Sequence, residues 1–124
     1  MTVSKRVLLV EDFEDSRFSL SKLLEIEGYE VVQAADGQEA VDLALQAKPD
    51  LILMDLSLPV IDGLSATRLI RERAGMAGVP IIALSAHDLA DFQTRAQEAG
   101  CTDYITKPVD FSALVELMTR YLAA

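Results

Sequence analysis

The chain alternates along its whole length between short aliphatic runs and longer stretches whose apolar residues recur at helical spacing. The short runs cover residues 6–10, 30–34, 51–54, 80–84 and 103–106. The first, third and fourth runs are apolar without alternation, which is typical of strands covered on both faces by helices in a parallel sheet. The sequence therefore predicts five strands, each followed by a helix.

Two of the helical stretches differ in how much apolar surface they offer. The last stretch carries one continuous stripe, formed by Leu114, Leu117, Met118, Tyr121 and Leu122. The fourth stretch offers only Phe92, Ala96 and Ala99, so little apolar area holds it and its position is adjustable. With right-handed crossovers, the alternation predicts an α/β, flavodoxin-like (βα)5 three-layer sandwich whose parallel sheet has the strand order 2-1-3-4-5.

Local chemistry marks the helix ends. Residues 36–39 read as a capping box that opens the second helix, and a hairpin turn there is disfavoured because a helical run follows. Asp62 and Asp110 are suited to cap the third and fifth helices. Gly28 and Gly100 are suited to end the first and fourth.

Size and charge narrow the class of protein further. We expect the 124 residues to form one domain over 1–124, with no output domain after the last helix. The net charge of −9 argues against direct nucleic-acid binding, and the apolar runs are too short for membrane insertion, so we expect a cytoplasmic protein. The lone Cys101 is interpreted as a small, partly buried thiol.

Polar residues follow the predicted strands at the point where each one ends. Glu11 and Asp12 follow the first strand, and the third strand ends in Asp55. Ser85 follows the fourth strand and Lys107 the fifth. Because the carboxyl ends of parallel strands meet at one edge of an α/β sheet, these side chains are expected to share a crevice.

Three carboxylates in one crevice repel each other unless a cation neutralises them, and all-oxygen ligands suit Mg²⁺. Asp12 and Asp55 could bind the ion directly, and Glu11 directly or through water. Lys107 and Ser85 could then hold a phosphoryl group, with Asp55 as the nucleophile. The expected product is an aspartyl phosphate.

Four segments, residues 7–12, 53–63, 82–86 and 104–108, resemble the motifs of a two-component response-regulator receiver domain of the stand-alone, CheY-like kind. The resemblance implies that Asp55 accepts a phosphoryl group from a phosphohistidine on a sensor histidine kinase or histidine phosphotransfer protein. It also implies Mg²⁺, with Mn²⁺ as an alternative, held by Glu11, Asp12, Asp55 and the backbone carbonyl of Ser57. By the same resemblance, the chain is a signalling phosphoacceptor that catalyses only its own phosphorylation and dephosphorylation.

The family resemblance also implies a switch. Ser85 would move toward the phosphate while Tyr104 swings inward, which changes the surface of the fourth strand, fourth helix and fifth strand. A downstream protein target would read that surface. The resemblance further implies a cis bond before Pro108, and a role for Ser57 and His87 in tuning dephosphorylation.

Other classes of protein fit less well. A haloacid-dehalogenase-type hydrolase needs a second acid where Ser57 stands, and a flavin carrier needs a Ser/Thr/Gly-rich first loop where residues 11–15 are mostly acidic. A calcium loop fails because apolar residues occupy 58–61. A relay intermediate without its own output and a phosphorylation-independent scaffold remain as alternatives.

Overall fold

The computed structural model describes residues 4–73, 75–86 and 90–122. Within these residues, five strands alternate with five helices along the chain. The strands are β1 (Arg6–Val10), β2 (Glu30–Ala34), β3 (Leu51–Asp55), β4 (Ile81–Ser85) and β5 (Asp103–Thr106). The helices are α1 (Glu14–Ile26), α2 (Gly37–Ala47), α3 (Gly63–Arg71), α4 (Ala90–Ala99) and α5 (Phe111–Leu122).

All four strand pairings are parallel and the sheet order is β2-β1-β3-β4-β5, which confirms the predicted topology. β3 ends at Asp55, as predicted, whereas β4 continues one residue beyond the predicted run and ends at Ser85. β4 begins at Ile81 because Pro80 has no backbone N–H to donate, although its carbonyl accepts the Ile52 N–H at 2.9 Å. The start predicted at residue 80 is therefore wrong by one position.

The core lies in two layers, one on each face of the sheet. Alternate residues of β1 point to opposite faces: Leu8 and Val10 belong to one layer, Val7 and Leu9 to the other. Buried residues of α2, α3 and α4 complete the first layer, and those of α1 and α5 complete the second. The three-layer sandwich is thus confirmed, and the carboxyl ends of the central strands open on one edge.

The predicted helix caps form. Asp36 accepts the Glu39 N–H at 2.8 Å, and the Glu39 carboxylate accepts the Ala35 N–H at 2.7 Å, so the capping box closes on the residue before the N-cap. Asp62 and Asp110 each accept the N–H three positions later, at 2.9 and 3.2 Å. The starts of α2, α3 and α5 are therefore fixed by local side-chain chemistry.

Helices α4 and α5 are held very differently. In α5 the predicted stripe is confirmed, with Leu114 and Met118 fully buried. In α4 the buried residues are Ala96 and Ala99, and Phe92 is half-buried. Small side chains bury little area, so α4 is the weakly held helix that the sequence predicts.

Arg71 ties the end of α3 to two loops at the amino end of β4 and β5. Its guanidinium donates to carbonyl or hydroxyl oxygens of Met76, Ala77, Val79, Gly100 and Thr102. Gly100 ends α4 with a positive φ of 114°, as Gly28 ends α1 with a φ of 100°. A Cβ on Gly100 would lie 2.7 Å from Arg71 Cγ, so the glycine also makes room for this contact.

Cys101 is more buried than predicted, at 7% exposed, and its sulfur lies 3.8 Å from the Thr67 hydroxyl. Burial raises the pKa of the Cys101 thiol, so it stays protonated near neutral pH. Among the helices of the described ranges, none has the length and apolar character needed to cross a bilayer.

Candidate functional site

The predicted site residues meet at the carboxyl edge of the sheet. Glu11 follows β1, Asp55 and Ser85 end β3 and β4, and Lys107 follows β5. Glu11, Asp55 and Ser85 are buried, with 6%, 2% and 1% of their surfaces exposed. Asp12 is exposed and Lys107 is half-buried, so the crevice is closed at its base and open to solvent at its mouth.

Lys107 bridges the two buried carboxylates. Its Nζ donates to Glu11 Oε2 at 3.2 Å and to Asp55 Oδ2 at 3.0 Å. These partners lie 96 and 52 positions away along the chain, so only the parallel sheet brings them together. A compact ammonium at this position offers a point charge to whatever anion enters the crevice.

The three acids form a donor set for a hard cation. Glu11, Asp12 and Asp55 each contribute a carboxylate oxygen, and these oxygens all lie within 4.8 Å of one another. An all-oxygen set with one exposed member suits Mg²⁺, which binds through few carboxylates and keeps several waters. The residues present therefore fit the predicted ion and could bind it.

Burial and crowding perturb the charges of the site. Burial raises the pKa of Glu11 from 4.5 to about 7. The hydrogen bond with Asp55 and the negative charge of Asp55 add to this rise, whereas Lys107 opposes it. Burial disfavours the charge of Lys107, but its contacts with Asp55 and Glu11 outweigh that effect and raise its pKa. The crevice therefore favours the protonated form of the Glu11 carboxyl more than water does.

Asp55 is held at both of its carboxylate oxygens. Oδ1 accepts the Ser57 N–H at 3.0 Å, while Oδ2 accepts from Lys107. The backbone just beyond is tied to the neighbouring strand, since the Leu56 N–H donates to the Leu84 carbonyl at 3.0 Å. The side chain of Asp55 is therefore fixed in orientation before any ligand arrives.

Two glycines let the loop after β3 pack closely against its surroundings. A Cβ on Gly63, the first residue of α3, would lie 2.4 Å from the Asp55 carbonyl oxygen. A Cβ on Gly37, the first residue of α2, would lie 1.9 Å from the Ile61 carbonyl oxygen. Both approaches are far inside van der Waals contact, so the loop can take this path only beside glycine.

The remaining predicted residues are placed as follows. Ser85 is in register with Thr106 of β5, and its carbonyl accepts the Lys107 N–H at 2.7 Å. The Lys107–Pro108 peptide bond is cis, as the resemblance implies. Tyr104 is half-buried on β5 and packs on the same side of the sheet as α4. His87 lies outside the described residues.

Sequence reasoning missed one group beside the acidic loop. The guanidinium of Arg17, in the first turns of α1, donates to the Glu11 carbonyl oxygen at 2.9 Å. The position of Arg17 in the sequence was a signal, because the helix dipole disfavours a cation near a helix N-terminus. An arginine there therefore indicates a compensating contact. Its acceptor could not be read from the sequence, since any backbone carbonyl looks alike.

The fold and the clustered acids define a class of protein, and comparison with known proteins identifies it. Residues 7–119 match the family model of the response regulator receiver domain, and the chain belongs to that family of two-component signalling proteins.

Relatives agree over nearly the whole chain. The polar-differentiation response regulator DivK of Brucella anthropi is 36% identical, with 95% of this chain and 96% of DivK aligned. Among solved structures, the receiver domain of sensor histidine kinase PA1611 from Pseudomonas aeruginosa is 38% identical, covers 98% of this chain and 100% of its own, and has a TM-score of 0.91. That structure holds a magnesium ion coordinated in its active-site cleft. The Vibrio cholerae chemotaxis protein CheY4 is 30% identical, with 97% and 100% coverage and a TM-score of 0.92.

Proposed function

We propose that Asp55 is the phosphoacceptor of a signalling switch, taking its phosphoryl group from a phosphohistidine on a partner protein. The observation that carries this proposal is the position of Asp55, a buried carboxylate fixed at the base of an acidic crevice with Lys107 3.0 Å away. A fixed carboxylate and a nearby cation are what this reaction needs, because catalysis of phosphoryl transfer depends mainly on positioning and charge.

The transfer is a displacement at phosphorus. A carboxylate oxygen of Asp55 forms the new P–O bond while the P–N bond to the donor imidazole breaks, and the electron pair of that bond stays on the imidazole nitrogen. Later attack by water on phosphorus releases inorganic phosphate and restores the carboxylate. Lys107 stays within reach of the phosphoryl oxygens throughout and offsets their negative charge.

Glu11, Asp12, Asp55 and the backbone carbonyl of Ser57 would hold Mg²⁺. When bound, the ion neutralises charge on the phosphoryl oxygens and on the acids around it. The protein itself supplies the fixed carboxylate of Asp55, the neighbouring ammonium of Lys107 and a solvent-exposed opening at Asp12.

The phosphorylated form would signal through contacts with another protein. Ser85 would hydrogen-bond the phosphoryl group, and Tyr104 would change position with α4, whose buried residues are small. A helix held by little apolar area moves at low cost, so a few new contacts at the site could shift its population. Ser57 and His87 would set how readily water reaches the phosphoryl group.

A groove beside the crevice suits a protein donor. It is lined by Leu20 and Leu23 of α1, by Pro108 and Phe111, and by Lys107 of the crevice. A donor that packed its apolar surface here would bring an imidazole close to Asp55. This position supports a sensor histidine kinase or a histidine phosphotransfer protein as the donor.

The test is phosphorylation by a small-molecule donor. Purified protein is incubated with Mg²⁺ and phosphoramidate, and intact mass is measured for wild type, Asp55→Asn and the matched surface variant Asp42→Asn. We expect one added phosphoryl group in wild type and Asp42→Asn, and none in Asp55→Asn. Absence of the added mass in wild type, or its presence at equal level in Asp55→Asn, would refute the proposal.

A further inference from the structure

The loop that carries two of the three acids is tied down by a side chain outside the site. Glu11 and Asp12 lie between β1 and α1, and the Arg17 guanidinium reaches back from α1 to the Glu11 carbonyl oxygen at 2.9 Å. On the other side of the same residue, the Glu11 N–H donates to the Ala34 carbonyl at 3.1 Å. The backbone of Glu11 is therefore held at both its N–H and its carbonyl.

Arg17 is itself fixed in place. Its Nε donates to Gln33 Oε1 at 3.2 Å, and Gln33 Nε2 donates to the hydroxyl of Ser21 at 3.2 Å. Ser21 is 2% exposed, so this chain of hydrogen bonds ends in the packed interface between α1 and β2. The planar guanidinium, with donors in fixed directions, can serve Glu11 and Gln33 at the same time.

We propose that Arg17 is a positioning residue for the metal site: through the Glu11 carbonyl it holds the Glu11–Asp12 loop in the geometry in which the acids can share one cation. This inference rests on the proposed function for its purpose, but it concerns metal affinity and does not require that Asp55 be phosphorylated. Groups that orient metal ligands without touching the ion affect affinity by about 10- to 100-fold in other proteins.

The sign of the effect separates positioning from simple charge. A cation beside a dication site repels the dication, so an Arg17 that acted only through its charge would weaken Mg²⁺ binding, and its removal would strengthen binding. A positioning role predicts the reverse, because a loop that is free to move must be ordered when the ion binds. The location of Arg17 near the start of α1, where the helix dipole disfavours a cation, fits a residue placed for its hydrogen bonds.

The test is Mg²⁺ titration by calorimetry. Arg17→Met keeps the length of the aliphatic stem but removes every donor, and we expect it to raise the Mg²⁺ Kd by about tenfold. Arg17→Lys retains the charge but cannot reach two acceptors in fixed directions, so its Kd should lie between those of wild type and Arg17→Met. Arg73→Met removes an equal charge from an exposed site after α3, and it should bind Mg²⁺ as wild type does.

Gln33→Ala tests the chain of contacts without altering any charge. It should weaken Mg²⁺ binding severalfold, and its effect should be largely lost when Arg17 is already methionine, as expected for partners in one network. In the metal-free protein, the Glu11 amide should exchange its hydrogen faster in Arg17→Met than in Arg73→Met. This second measurement reports on the loop without any metal or phosphoryl donor.

Three results would overturn the inference. They are tighter Mg²⁺ binding by Arg17→Met, a Kd of Arg17→Met unchanged from that of wild type, or equal exchange of the Glu11 amide in Arg17→Met and Arg73→Met. If wild type binds Mg²⁺ and the variants lose affinity, the inference stands even where phosphoramidate adds no phosphoryl group. A failure of the proposed function is therefore distinguishable from a failure of this one.

Discussion

Replacing Arg71 with methionine should destabilise the domain by about 2–3 kcal/mol, because its charged guanidinium donates hydrogen bonds to several backbone carbonyl oxygens. Its guanidinium donates to the carbonyl oxygens of Met76 and Val79 at 2.8 and 2.6 Å, and to that of Gly100 at 2.9 Å. Among the described residues, no carboxylate pairs with it. The charge is satisfied by backbone oxygens of two separate loops and by the Thr102 hydroxyl.

The magnitude follows from these contacts. A hydrogen bond to a charged group contributes about 1.5–3 kcal/mol, and the bonds of one side chain are not additive. Several bonds are lost together, but the Arg71 site is partly open to water and methionine preserves most of the packing of the stem, so the total stays at about 2–3 kcal/mol. For a domain of this size, about 3–5 °C of thermal midpoint corresponds to 1 kcal/mol, so we expect a fall of about 10 °C.

The assay is thermal and urea denaturation followed by circular dichroism, with Arg68→Met as the matched control. Arg68 lies on the same helix but is exposed, so its loss should shift stability by less than about 0.5 kcal/mol. The difference should persist at high salt, because neutral carbonyl acceptors are not screened as a surface ion pair is. An Arg71→Met midpoint within error of the Arg68→Met midpoint would refute the reasoning.

Four further predictions concern the site and its supporting loop. Because the pKa of Glu11 is raised to about 7, Mg²⁺ affinity should fall as the pH drops through that value. Glu11→Gln should flatten the dependence of the calorimetric Mg²⁺ Kd on pH. The same pH dependence in Glu11→Gln and wild type would contradict the assignment. Without Mg²⁺, the proton on Glu11 also stabilises the fold fully below pH 4.5, and this contribution should be lost as the pH rises through about 7. The thermal midpoint of wild type should therefore fall over this pH range, and that of Glu11→Gln should not. Lys107→Ala should leave Mg²⁺ binding intact or tighter, since a competing cation is removed, while phosphorylation by phosphoramidate slows; weaker Mg²⁺ binding would count against its role. Asp62→Ala should cost about 1 kcal/mol by removing the cap of α3. Because the Ser65 N–H lowers the pKa of Asp62, its contribution is present at neutral pH and lost on acidification through the folded-state pKa, and a pH-independent difference between Asp62→Ala and wild type would argue otherwise.

The sheet order and the meeting of the acids were predictable for a physical reason. Parallel strands joined by right-handed crossovers place all their carboxyl ends at one edge, so residues that follow the strands must converge however far apart they lie in sequence. The caps were predictable because an aspartate and the N–H three residues later interact locally. The end of β4 was misplaced by one residue, since Ser85 looks like a loop residue although it is buried.

What could not be predicted depends on backbone acceptors and on burial. Arg17 and Arg71 make most of their contacts with backbone carbonyl oxygens, which the sequence does not distinguish from one another. The raised pKa of Glu11 requires knowing that its carboxylate is desolvated beside Asp55, whereas Asp12, the next residue along, is exposed. The roles of Ser57, Ser85, Tyr104 and His87 remain predictions.

Gly37 and Gly63 leave room for the loop after β3 because they have no side chain. A methyl group on either would have to displace a peptide carbonyl, and with it the segment that begins at Asp55. Both residues are therefore constrained by volume alone, since neither has a side chain that could bind an ion or a phosphate. In a complete substitution screen, alanine at these two positions should be tolerated as poorly as a change in the acids, and the loss would come from a shifted strand end rather than from missing chemistry.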